Sequence, residues 1–172
     1  MIRSLIVSLA PMLVTATALA ASPTTQKITF KNAKGAEAGT ATLTQLAQGV
    51  RITIDAKDLT PGEHAFHFHE NGKCEGPKFD SAGSHYAPEK KAHGHDDAAG
   101  PHAGDMPNLI VGADGKVKSE VINTHVSLKP GANSLLKKGG TALIIHEKAD
   151  DYKTQPSGGA GGRVLCAEIK GA

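Results

Sequence analysis

Histidines are the residues of this sequence best suited to do chemistry. The chain holds nine of them, with no tryptophan and 3% aromatic residues, so they do not serve to build a hydrophobic core. His67 and His69 are two positions apart in a stretch with strand character, which directs both imidazoles to one face. Such a pair alone is more often packing or surface than a metal site, and the remaining histidines decide the interpretation.

The other candidate ligands fall into two groups by chemistry. Imidazoles suit copper and zinc, and a carboxylate added to three imidazoles makes a closed four-ligand set that structural zinc accepts. The loop residues His93, His102 and Asp105 therefore predict a zinc group. A copper group is predicted from three histidines of strands far apart in sequence, which a rigid sheet can hold in an open arrangement: His67, His69 and His146.

Strand signals dominate the rest of the chain and predict an all-β domain. Little of the sequence has the three-to-four spacing of an amphipathic helix, and apolar stretches recur between Gly, Pro, Asp and Asn. We expect a sandwich or barrel of eight antiparallel strands, with a tight hairpin turn at residues 113–115. The predicted strands cover residues 27–31, 38–43, 50–54, 64–69, 109–111, 117–122, 142–145 and 164–169.

Two long segments interrupt the strands and are expected to be functional loops. They cover residues 71–107 and 147–162, and loops of this length in a compact domain are usually functional or disordered. The second ends in a glycine-rich tract, residues 157–162. That tract lacks the following helix and the Gly-Lys-Ser/Thr ending of a phosphate-binding loop, so nucleotide binding is not expected.

The first 20 residues have the pattern of a secretory signal peptide. Arg3 is followed by an apolar run and by Ala-Leu-Ala at residues 18–20, a typical cleavage site. A membrane-spanning helix is the weaker alternative, because the run is short and contains Pro11. The signal-like segment has no cysteine, so no lipid anchor is expected. We predict one mature domain over residues 21–172, exported to the periplasm or else secreted.

Charge and cysteine content restrict the possible partners. Loss of residues 1–20 removes Arg3 and no acidic residue, which leaves basic and acidic side chains almost balanced. Neither nucleic acid nor an anionic membrane is therefore an expected partner. The only cysteines are Cys74 and Cys166, and an even count in an exported chain favours a disulfide, with free buried thiols as the alternative.

Several blocks of the sequence, taken in order, resemble the copper/zinc superoxide dismutases of the exported bacterial type. The first is Gly62 to Cys74, with the run His-Ala-Phe-His-Phe-His at residues 64–69. The others cover residues 82–88, 93–94, 102–109, 146–151 and 161–166. The resemblance implies the eight-stranded Greek-key fold and the conversion of superoxide to dioxygen and hydrogen peroxide.

The resemblance also implies one copper ion and one zinc ion in each chain, which share one histidine. The implied copper ligands are His67, His69, His85 and His146. The implied zinc ligands are His85, His93, His102 and Asp105. A histidine between two metals loses both ring protons, which is plausible only with a cation at each nitrogen.

Further roles follow from the same resemblance. Asp150 would accept hydrogen bonds from His67 and His93, and His64 would pack near the site without binding metal. Arg163 would dock the anionic substrate, and His85 would carry a proton during turnover. The disulfide Cys74–Cys166 would hold the first loop beside Arg163.

Other properties stay open at this point. His95 and His125 are not expected to be ligands, although His95 lies close to His93. Monomers and homodimers are both possible, and the lysines that guide substrate cannot be chosen from the sequence. A non-catalytic metal carrier on the same fold and an adhesion domain with an incidental histidine cluster are the alternative functions. Every ligand position and the anion-docking arginine are filled, which favours the enzyme.

Overall fold

Antiparallel β-strands make up almost all the regular structure in this computed structural model, which describes residues 24–171. The predicted signal peptide at residues 1–20 lies outside the described residues. The strands are β1 (Thr25–Asn32), β2 (Glu37–Gln45), β3 (Val50–Ala56), β4 (Gly62–His64), β5 (Phe66–His69), β6 (Leu109–Val111), β7 (Val117–Asn123), β8 (Thr141–His146) and β9 (Arg163–Ile169). One short 3₁₀ helix, Asp80–Ala82, lies in the first long loop.

The strand order is that of the predicted Greek-key barrel. One sheet runs β5-β8-β9-β1-β2-β3-β7, and β4 pairs with β6 separately. A tight turn joins β6 to β7, where the Gly112 amide donates to the Lys116 carbonyl at 2.9 Å. If β4 and β5 are counted as one interrupted strand, the barrel has eight strands, and the predicted fold is confirmed.

The predicted strand 64–69 is divided at Ala65. Its amide donates to the Lys148 carbonyl and its carbonyl accepts from the His146 amide, both at 2.8 Å. On either side of this residue the chain changes partner, because β4 pairs with β6 whereas β5 pairs with β8. The interruption brings the beginning of the second long loop against the strand that carries His67 and His69.

Strand β5 is buried on both faces. Phe66 and Phe68 point into the main core, where they meet Leu143 and Ile145 of β8. By strand alternation His67 and His69 leave the opposite face, outside the barrel, and both are nevertheless at most 1% exposed. The two long loops cover this outer face and form the compartment in which the histidines lie.

The first long loop is tied to the barrel by a disulfide and by backbone hydrogen bonds. Cys74 is bonded to Cys166 of β9, as predicted, across 92 positions of sequence. Closing a loop of that size stabilises the folded chain by about 4.6 kcal/mol when the effect is assigned to chain entropy. Further along, the Tyr86 amide donates to the Phe68 carbonyl and the Phe68 amide to the Gly104 carbonyl, at 2.8 and 3.0 Å.

Within residues 24–171 no helix has the length and apolar character needed to cross a bilayer.

Candidate metal centre

Four buried histidines meet on the outer face of the barrel and form what we term the strand group. They are His67 and His69 of β5, His85 of the first loop and His146 of β8, and their nearest ring nitrogens all lie within 4.8 Å of one another. Pairing of β5 with β8 brings three of them together, and an isolated bridge between His69 and His85 adds the fourth. An irregularity between Ile145 and His146 places His146 opposite Arg163 of β9.

A second set, the loop group, shares His85 and lies entirely within the first long loop. Its ligand atoms also lie within 4.8 Å of one another, and its members are His85, His93, His102 and Asp105. The Asp105 carboxylate is at its centre, because Oδ1 is 3.0 Å from His85 Nδ1 and 3.3 Å from His102 Nδ1, and Oδ2 is 3.1 Å from His93 Nδ1. Amide groups of Gly94 and His102 donate to Oδ2 at 2.9 and 3.0 Å and fix the carboxylate.

Asp150 connects the two groups from behind. His67 Nε2 is 2.7 Å from one of its oxygens and His93 Nε2 is 3.0 Å from the other. Burial alone would raise the pKa of Asp150, but the hydrogen bonds from His67 and His93 outweigh it and hold that pKa below its usual value. The ionised carboxylate therefore accepts a hydrogen bond from each Nε2–H and leaves each Nδ1 directed towards its own group.

His64 lies beneath the strand group and outside both sets of ligand atoms. Its Nδ1 is 2.7 Å from the His146 carbonyl oxygen, and its Nε2 is 2.8 Å from the carbonyl oxygen of Thr60. The ring thus links the end of β8 to the loop that precedes β4, with 2% of the residue exposed.

Some buried ring nitrogens of the strand group have no hydrogen-bond partner in the described part of the chain. His67 Nδ1 and His85 Nε2 have no hydrogen-bond partner within residues 24–171, and His69 Nε2 is 3.4 Å from His146 Nε2. An unpartnered buried polar atom costs about 1–3 kcal/mol. Burial lowers the pKa of His85 to about 4 and that of His146 to about 2, which keeps both rings neutral. Neutral imidazoles with converging lone pairs fit copper, and the three imidazoles and carboxylate of the loop group fit zinc.

Arg163 lies at the open side of the strand group. Its guanidinium donates to the carbonyl oxygens of Phe79 and Gly83, at 2.7 Å each. The Gly83 oxygen also accepts from Nδ1 of His69 at 2.9 Å, so one carbonyl orients both side chains. A cavity of about 190 Å³ is lined by Arg163, His69, His85 and His146 and admits only a small molecule.

The cavities beside the two groups differ, whereas burial does not distinguish them. The small cavity reaches the strand group at His69, His85 and His146, beside Arg163. A larger cavity of about 470 Å³ lies on the other side of His85 and meets the loop group at His102. Small solutes therefore reach the strand group beside a fixed guanidinium, whereas the cavity at the loop group has no arginine in its lining.

Some residues that shape the site were not predicted from the sequence. Asn108 holds the backbone of Asp150 from both sides, since its Oδ1 accepts from the Asp150 amide at 2.9 Å and its Nδ2 donates to the carbonyl at 3.0 Å. Gly158 has a φ of 68°, and a side chain there would collide with the Asp150 carboxylate. The sequence placed the glycine tract in a loop but gave no sign of this close approach.

The two histidines expected not to be ligands belong to neither group. His95 and His125 are exposed, and neither belongs to a ligand cluster found among residues 24–171.

The fold and the two joined groups define a β-barrel metalloprotein with two metal sites that share His85. Comparison with known proteins agrees, since the family model described as "Copper/zinc superoxide dismutase (SODC)" matches residues 37–169. A curated relative, "Superoxide dismutase [Cu-Zn] 1" of Aquifex aeolicus, is 50% identical over 141 residues, which is 81% of this chain and 83% of the relative.

Solved structures give the same result. A superoxide dismutase-like protein from Bacillus subtilis superposes with a TM-score of 0.81 and 40% identity, over 83% of this chain and 97% of the other. The Cu/Zn superoxide dismutase from Brucella abortus superposes with a TM-score of 0.72 and 31% identity, over 86% and 100%. This chain belongs to the copper/zinc superoxide dismutase family, and its cofactors are copper and zinc.

Proposed function

We infer that this protein is a superoxide dismutase, which converts two superoxide anions and two protons into one dioxygen and one hydrogen peroxide. The observation that carries this function is the cavity of about 190 Å³ beside the strand group. In it the imidazoles of His69, His85 and His146 lie beside the fixed guanidinium of Arg163. A redox metal in this position would be accessible to a small anion, because the cavity is too small for larger molecules. Family membership supports the same reaction.

The ligand assignment we propose follows the two groups. Copper would be held by the strand group, His67, His69, His85 and His146. Zinc would be held by the loop group, His85, His93, His102 and Asp105. When bound, copper supplies the one-electron couple that oxidises one superoxide and reduces the next, and zinc, which has no redox chemistry, holds the loop and tunes His85.

His85 is the proposed proton carrier. Its Nδ1 faces the Asp105 carboxylate at 3.0 Å, whereas its Nε2 is the unpartnered atom directed at the strand group. Nε2 can therefore take a proton in the half-reaction that oxidises superoxide and give it up in the half-reaction that forms peroxide. Solvent in the cavity would supply the second proton.

The proposed role of Arg163 is to dock the anion. Its charge does not titrate in the physiological range, and the Phe79 and Gly83 carbonyls hold its planar group in place. The fixed charge stabilises the entering superoxide and the more highly charged peroxide that forms, without reorganisation of the site.

Arg163→Ile is expected to lower turnover by at least about tenfold, which corresponds to ~1.4 kcal/mol. Arg163→Lys loses the planar contact with the two carbonyls but keeps the positive charge. Because the charge is retained, its turnover should fall less than that of Arg163→Ile. The measurement is the rate of superoxide decay per bound copper. Wild-type rates in a fully copper-loaded Arg163→Ile protein would rule out the docking role.

The proposed function itself is tested on the metal-loaded protein. It should bind one copper and one zinc per chain, remove superoxide catalytically, and lose activity when a chelator removes copper. Zinc uptake without copper, or copper uptake without turnover, would contradict the enzyme and favour a metal carrier.

Location and assembly are further proposals. We propose export with removal of residues 1–20 and a periplasmic site of action, supported by the signal-like sequence and by the disulfide, which suits an oxidising compartment. The single mature domain over residues 21–172, without a membrane anchor, belongs to the same proposal. Monomer and homodimer both remain compatible with these observations.

A further inference from the structure

The side chain of Gln155, in the second long loop, holds the backbone of His93 in the first. The His93 amide donates to Gln155 Oε1 at 2.9 Å, and Gln155 Nε2 donates to the His93 carbonyl oxygen at 2.9 Å. These reciprocal hydrogen bonds join residues 62 positions apart in sequence. We refer to the pair of bonds as the Gln155 clamp.

Only one orientation of the carboxamide satisfies this arrangement. Reversal would set Nε2 against the His93 amide and Oε1 against its carbonyl, which opposes donor to donor and acceptor to acceptor. Nε2 also lies 3.1 Å from Asp97 Oδ2, so both of its protons have strong acceptors in the first loop. A carboxylate or a hydrocarbon at position 155 could not make the same set of bonds.

His93 is the residue through which the clamp can act on the metal centre. Its buried ring contacts Asp105 through Nδ1 at 3.1 Å and Asp150 through Nε2 at 3.0 Å. A displacement of its backbone would disturb the loop group directly, and would reach His67 of the strand group through Asp150.

Adjacent contacts show that this is where the two loops meet. The Asp96 amide donates to the Tyr152 carbonyl at 3.3 Å, and a side chain at Gly94 would collide with that same carbonyl. The clamp adds two shorter bonds to this contact and directs them at a proposed zinc ligand.

We propose that Gln155 is a positioning residue that couples the second loop to zinc retention, an inference that rests on the proposed zinc site. With the clamp in place, the second loop must move away from His93 before His93 can leave its ligand position. The coupling is reciprocal, so zinc binding should in turn stabilise the loop around Gln155.

The test measures zinc release from zinc-loaded, copper-free protein into a chromophoric chelator. Gln155→Ala should release zinc about tenfold faster than wild type, the lower end of the effect of removing a group that orients a metal ligand. Gln155→Glu should be at least as fast, because it cannot donate to the His93 carbonyl and brings a negative charge next to Asp97. The matched control is Gln48→Ala, in the exposed turn between β2 and β3.

Two further measurements separate positioning from general stability. Gln155→Ala should lower the melting temperature of the zinc-loaded protein by more than that of the metal-free protein. The visible spectrum of cobalt bound in place of zinc should differ from that of wild type in Gln155→Ala but not in Gln48→Ala. An unchanged rate of zinc release in both Gln155 variants would overturn the inference. Faster release would also overturn it if the metal-free variant lost as much stability as the zinc-loaded variant. If the wild-type chain retains no zinc, the proposed zinc ligands are wrong. If the wild-type chain and both Gln155 variants retain zinc equally well, only the role of Gln155 is wrong.

Discussion

Replacement of His146 by alanine is expected to abolish superoxide removal, with a loss of at least about a thousandfold, or ~4 kcal/mol of transition-state stabilisation. His146 belongs to the strand group only, and its Nε2 is 3.4 Å from His69 Nε2. Without it, the three remaining imidazoles leave the copper position incomplete on the side that faces Arg163. Zinc content should stay at one per chain, because His146 does not belong to the loop group.

The measurements are metal content after dialysis and the rate of superoxide decay. His125→Ala is the matched control, because His125 is exposed and lies outside both groups. It should keep wild-type copper, zinc and rate. Activity retained in His146→Ala, or lost in His125→Ala, would contradict the ligand assignment.

Asp150→Ala is expected to weaken both metal sites at once, by roughly 10- to 100-fold in affinity for each ion. One carboxylate accepts from His67 Nε2 at 2.7 Å and from His93 Nε2 at 3.0 Å, and alanine can accept neither bond. Each imidazole is then free to rotate or change tautomer, so its Nδ1 is no longer held towards its own metal.

Competition with chelators of graded strength, applied separately to the copper-only and the zinc-only protein, measures these affinities. Asp55→Ala serves as the control, because Asp55 is an exposed residue of β3 whose carboxylate pairs with Lys118 at 3.1 Å. An effect on one metal alone would show that Asp150 does not couple the two groups.

The fold and most members of the two groups could be predicted from the sequence for a simple physical reason. Strand alternation places His67 and His69 on one face, and the chemistry of imidazole and carboxylate divides most of the other candidates between the two groups. The place of His85 in both groups was implied only by the family resemblance. The interruption at Ala65 was not accessible, because it depends on which partner each half of the strand finds. The pattern of apolar residues by itself predicts one continuous strand over residues 64–69.

Residues that act through the backbone of another residue also escaped prediction. Asn108 and Gln155 each hold the main chain of a site residue that is far away in sequence. A lone carboxamide in a loop gives no periodic or compositional signal of such a contact. Gly158 is similar, since its need to lack a side chain arises only from the proximity of Asp150.

The two faces of β5 have a consequence for what positions each part of the centre. Phe66 and Phe68 are fixed by the core, and a slip of one residue in the pairing with β8 would bring imidazoles into the barrel and phenylalanines out of it. The barrel core therefore fixes the direction of His67 and His69 independently of any ion. The loop histidines have no such internal reference, because the contacts that the closed first loop makes hold them in place. One part of the metal centre is thus set by strand register, and the other by the closure of a loop.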